Sequence, residues 1–181
     1  EIGDLCKQHD VLFIVDTTQS LGANELNLAE LNIDVMAASN YKWMNAGFGT
    51  GILYVSDRFL EKYTPVVGGH NSYNGPRNYQ MTGSDWGYTP SILSYEPGSP
   101  NMFGLRILVN AIKHKNEIGI TQIAAHNLEL TASLLSGLRD TSVRLLGDHT
   151  LTNRAPIVFI LDENGLGDYI RNHNIIVTQR N

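Results

Sequence analysis

Asp16 and Lys42 are the two residues of this sequence best placed to do chemistry together. Asp16 closes the run "VLFIVD" (11–16), and Lys42 lies just beyond a second apolar run at 35–38. Short continuous apolar runs read as strands buried on both faces, as in parallel sheets. In such sheets ligands gather at the carboxyl ends of the strands, so residues 26 positions apart can meet at one edge. There a carboxylate can hold a protonated nitrogen, and an amine can act as nucleophile or base. Taken alone, the two residues also fit a helix-capping aspartate and a surface lysine.

Their neighbours favour the site. "DTTQSLG" (16–22) sets Asp16, Gln19 and Gly22 in one turn, and "SNYK" (39–42) places the hydroxyls of Ser39 and Tyr41 beside the amine. "GFGTG" (47–51) is a glycine turn. It leads into a strand and not a helix, so it lacks the context of a dinucleotide-binding fingerprint.

The order D-x-x-Q-S-x-G, apolar strand, S-x-Y-K and G-x-G-x-L-Y-V resembles the class V aminotransferase group of fold-type I pyridoxal-phosphate enzymes. That group includes cysteine desulfurases, kynureninases and epimerase-like relatives. "YEPGSPN" (95–101) looks like the segment that precedes a long helix in the group, and "GITQIAAHNLELTASLLSGL" (119–138) like the helix entering its small domain. The likeness spans essentially the whole chain. The Tyr41-Lys42 pair is closer to kynureninases than to desulfurases, where the matching residue is usually His.

The resemblance implies a pyridoxal 5'-phosphate cofactor held as a Schiff base by Lys42, the catalytic residue. Asp16 would pair with the pyridine nitrogen and keep it protonated, and Gln19 would bond the ring's phenolic oxygen. Ser39 and Tyr41 would donate to the phosphate. Ser99 matches a residue that reaches the phosphate of a neighbouring subunit, which implies a homodimer with shared active sites. Ser99 also fits a cap for the helix starting near 101. The activity implied is that of a transaminase or related lyase acting on a small amino acid. A non-catalytic binding or regulatory module of the same fold is the alternative, although such a relative need not keep the lysine.

The elements that must position these groups follow an α/β order: a mainly parallel sheet flanked by helices, then a truncated small α/β domain. Helical spacing marks residues 1–8, 101–117 and 121–139, and Gly119 reads as the break between the last two. "TGILYVS" (50–56) reads as a third strand, followed by a helix opened by Ser56 or Asp57. Beyond 139 the pattern gives strands at 143–146 and 156–161, a helix at 165–173 and a strand at 175–178. Residues 1–118 are expected to form part of the cofactor-binding large domain, and 119–181 part of the small domain. The Gly-, Asn- and Pro-rich stretch 64–99, with Tyr73, Tyr79, Trp86, Tyr88 and Tyr95, reads as a functional or mobile loop. His70 within it either approaches the substrate or stands solvated.

The 181 residues carry a net charge of −5 and 42% apolar residues, a globular composition with no bias toward nucleic acid or anionic membrane. No apolar run approaches a membrane span. The single cysteine, Cys6, forms no internal disulfide and suits a cytoplasmic protein, and the six histidines lack metal-ligand spacing. Both ends read as internal to a longer protein. The family's ring-stacking aromatic would then precede Glu1, and its substrate-carboxylate arginine would follow Asn181, so proximity alone does not give Arg180 that role.

Overall fold

The computed structural model of the protein describes residues 1–74, 87–147, 154–163 and 165–179. The chain forms two compact units, Glu1–Thr121 and Gln122–Asn181.

The first unit runs α1 (Ile2–Gln8), β1 (Ile14–Asp16), α2 (Leu28–Leu31), β2 (Val35–Ser39), β3 (Gly51–Val55), α3 (Asp57–Lys62), a 3-10 turn (Ile92–Tyr95) and α4 (Met102–Ile118). The sheet order is β1-β2-β3. β1 and β2 are parallel, with Asp16 opposite Ala37. β3 runs antiparallel to β2, with Ser39 opposite Gly51. An apolar run does not encode strand direction; the return at 40–50 reverses β3. Because side chains alternate along a strand, Asp16, Ala37 and Ser39 share one face of the sheet.

The opposite face is covered. Met36 and Ala38 are buried, and Met44, Ala46 and Leu108 form a core joined by Leu21, Ile52, Leu105 and Ile112. Leu105, Leu108 and Ile112 recur at helical spacing on α4, so one stripe of this helix packs beneath the sheet end and the loop that carries Lys42. The front face is open: Ile14 and Leu53 are 62% and 42% exposed. The strands expected to be buried on both faces are therefore buried on one among the described residues, and β2 alternates along its length.

The helix ends follow side-chain chemistry. Ser56 caps α3 by accepting from Phe59 N. α4 is capped by Asn101, whose side chain accepts from Gly104 N at 3.0 Å, so the cap considered for Ser99 belongs to Asn101. Gly119, at φ +92, ends α4. In the loop region, Tyr73 and Tyr88 stack with ring centroids 4.9 Å apart. Tyr79, Trp86 and Arg180 lie outside the described residues.

The second unit contains most of α5 (Ile120–Leu138), the antiparallel pair β4 (Leu145–Leu146) and β5 (Phe159–Ile160), and α6 (Leu166–Asn172). The strand expected at 175–178 does not form, and Ile176 is 99% exposed. A β-branched run needs a neighbouring strand to satisfy its backbone, and none of the described residues supplies one.

Candidate active site

Asp16 is the last residue of β1, and the chain turns immediately after it. Thr17 N extends the ladder to Ala37 O at 2.8 Å, while Ser20 N and Leu21 N return to Thr17 O. Thr18 N donates to Asp16 Oδ1 at 2.8 Å, an Asx turn. Thr18 Oγ1 accepts from Ser39 N at 2.9 Å, which ties the ends of β1 and β2 together. The Thr18 hydroxyl and its backbone N–H hold the Asp16 carboxyl below its ordinary value; slight burial opposes this, and the charge of Lys42 adds to it. Asp16 thus ends β1, and Lys42 lies three residues past the end of β2, the neighbouring parallel strand.

The lysine loop is closed by Asn40, which is fully buried. Asn40 N donates to Thr50 O, its carbonyl accepts from Ala46 N at 2.9 Å, and its Nδ2 donates to Thr50 Oγ1 at 3.3 Å. Asn45 N bonds Lys42 O, and Asn45 takes φ +58 to make the bend. Met44 and Ala46 point into the core, while Lys42 stays half-buried. Its Nζ lies 5.7 Å from the Tyr41 ring centroid, a cation–π distance. Tyr41 in turn stacks on Phe48, centroids 5.0 Å apart. The lysine therefore rests on an aromatic platform at the end of β2.

Two contacts join the aspartate turn to its surroundings. Trp43 Nε1 donates to Gln19 Oε1 at 3.3 Å. From α4, Lys115 Nζ donates to Gly22 O at 3.3 Å, and burial pushes the Lys115 ammonium below its ordinary value. Gly22, at φ +86, lets the turn pass so close to Met44 and Trp43 that a Cβ would sit 2.8 Å from Met44 Sδ.

An open concavity of about 370 Å³ lies along the front of the sheet, lined by Asp16, Thr18, Ala37, Ala38, Ser39, Gly51, Ile52 and Leu53. That volume suits a small ligand. Asp16 and Ser39 are in it; Gln19, Tyr41, Lys42 and Ser99 are not among its lining. Ser99 is exposed two positions before Asn101, next to Gly98, whose carbonyl accepts from Asn71 Nδ2 at 2.9 Å. His70 is also exposed. No cluster of His, Cys, Asp and Glu among the described residues could hold a metal.

Sequence reasoning missed Thr18, Asn40 and Trp43. The Asp-x-Thr spacing of an Asx turn could have flagged Thr18. Nothing in the sequence flagged the buried Asn40, because its partner Thr50 is set by the β2–β3 register.

The family model described as Aminotransferase class-V matches residues 1–179. A probable cysteine desulfurase of Pyrococcus abyssi is 26% identical over 98% of this chain and 44% of its own length. The cysteine desulfurase IscS of Pasteurella multocida is 29% identical over 98% of this chain and 47% of its own length. The chain therefore spans about half the length of these curated relatives. Among solved structures, the apo cysteine desulfurase of Thermococcus onnurineus matches with a TM-score of 0.83 and 24% identity, covering 97% of this chain and 44% of that one. An alanine–glyoxylate aminotransferase of Nostoc matches with a TM-score of 0.68 and 17% identity, over 96% of this chain and 46% of that one. These likenesses share the fold-type I architecture. The chain belongs to the aminotransferase class-V family, whose enzymes depend on pyridoxal phosphate.

Proposed function

We propose that this chain carries the lysine side of the active site of a pyridoxal-phosphate enzyme that acts on a small amino acid, with Lys42 as the covalent attachment point. The carrying observation is the placement of Asp16 and Lys42: a carboxylate bonded by Thr18 at the end of β1, and an amine three residues past the end of β2, the neighbouring parallel strand. The residues present fit the cofactor. Asp16 and Ser39 open into one concavity of small-ligand size, and Lys42 stands at the end of the adjoining strand.

The cofactor, when bound, supplies an electron sink for the substrate's α-carbon. The chain's own groups have these roles. Asp16, kept anionic, holds a proton on the ring nitrogen. Lys42 would hold the cofactor through its amine, and the same amine, when free, would hold and return a proton at the substrate's α-carbon. Gln19 donates to the ring's phenolic oxygen, and Ser39 and Tyr41 donate to the phosphate. Ser99 serves the partner subunit's phosphate in a homodimer. Residues 1–118 and 119–181 belong respectively to the large and small domains. Among the described residues no helix is long and apolar enough to cross a membrane, and the lone Cys6 supports a cytoplasmic setting.

The reaction is amino transfer or a related lyase step. To test it, the protein is loaded with pyridoxal phosphate and mixed with a panel of amino acids. Keto-acid release identifies a transaminase, and sulfide or alanine release a lyase. Cofactor binding with every amino acid unchanged would favour the binding module.

A further inference from the structure

Indole N–H can only donate, so the end of the Gln19 side chain that faces Trp43 must be its carbonyl oxygen. The 3.3 Å contact therefore fixes which way the Gln19 amide points. Its NH2 end makes no hydrogen bond among the described residues and remains as an unclaimed donor. Trp43 is the residue after Lys42, and Gln19 lies three residues after Asp16, so this one bond spans the two loops that carry the amine and the carboxylate. The backbone on both sides is braced. Trp43 O and Met44 Sδ pack against Gly22, whose carbonyl is held by Lys115.

We infer that Trp43 is a positioning residue: it occupies the Gln19 carbonyl and thereby presents the Gln19 NH2 to the phenolic oxygen of the cofactor ring. This rests on the functional reading above. Without Trp43 the amide can rotate and offer its oxygen, which repels an anionic ring oxygen. A donor to that oxygen stabilises its anion and makes the neighbouring proton of the Lys42 adduct easier to remove. Losing the donor should move the pH midpoint of the adduct's visible band upward by about one unit, the scale of one charge-assisted hydrogen bond.

The test titrates the visible band of cofactor-loaded protein in the parent, Trp43→Phe, Gln19→Ala and the double variant. Trp43→Phe and Gln19→Ala should each raise the midpoint, and the double variant should rise no further than Gln19→Ala alone. Borohydride labelling of Lys42 in each variant shows that the site is assembled. The bond itself is read without cofactor. Of the protein's two indole N–H resonances, the one missing in Trp43→Phe should shift in Gln19→Leu. A labelled Trp43→Phe protein that titrates like the parent, or an indole signal indifferent to Gln19→Leu, overturns the positioning role alone. Failure of the parent to label at Lys42 overturns the functional reading and this role with it.

Discussion

The backbone N–H of Thr18 lies 2.8 Å from Asp16 Oδ1, so the residue two places after the carboxylate bonds it directly. The Thr18 hydroxyl adds to this hold on Asp16, and the same oxygen receives Ser39 N–H. One threonine thus lowers the Asp16 value and ties two strand ends together.

Thr18→Val removes the hydroxyl and keeps the shape and the backbone donor. The Asp16 value should rise back toward the ordinary 3.8. A folded-state value below the unfolded one means that ionised Asp16 favours folding above that pH, and the contribution is lost as pH falls through the lowered value. The variant should therefore narrow the stability gap between neutral and acidic pH. Carboxyl NMR titration checks the first statement, and acid unfolding the second.

Asp16→Asn should leave cofactor attachment at Lys42 intact while turnover falls by roughly two to four orders of magnitude, the scale of a lost proton-holding group. Parallel labelling and product assays separate the two effects.

Leu108→Ala empties the core beneath the lysine loop. Leu108 is 6% exposed and packs with Met44 and Ala46. The expected loss is about 2–5 kcal/mol in denaturant unfolding.

Gly22→Ala puts a Cβ at φ +86, 2.8 Å from Met44 Sδ and 3.0 Å from Trp43 O. The left-handed backbone alone should cost about 1–2 kcal/mol, and the contacts add to it. The Asp16 turn should be displaced as well, which weaker cofactor binding would report.

The positions of the candidate residues were legible because they lie where apolar runs stop: Asp16 after 11–15 and Lys42 after 35–38 mark strand ends without any knowledge of pairing. The fold class and the order of elements followed from the same runs and from helical spacing in 101–117. The direction of β3 was not legible, since it depends on a turn closed by Asn40 and Thr50. The cap of α4 went to Asn101 because its side chain reaches Gly104 N, a choice that two polar candidates, Ser99 and Asn101, leave open. At 175–178 local β-propensity had no partner strand to act on among the described residues. The bond from Trp43 to Gln19 was not legible, because it needs two loops in register.

The central claim is that Lys42 is the residue that carries the cofactor. Incubation of the protein with pyridoxal phosphate, borohydride reduction and peptide mapping test it directly. The account predicts a single reduced adduct on Lys42 that disappears in Lys42→Ala. A label spread over surface lysines such as Lys7 and Lys62, unchanged in Lys42→Ala, would contradict it.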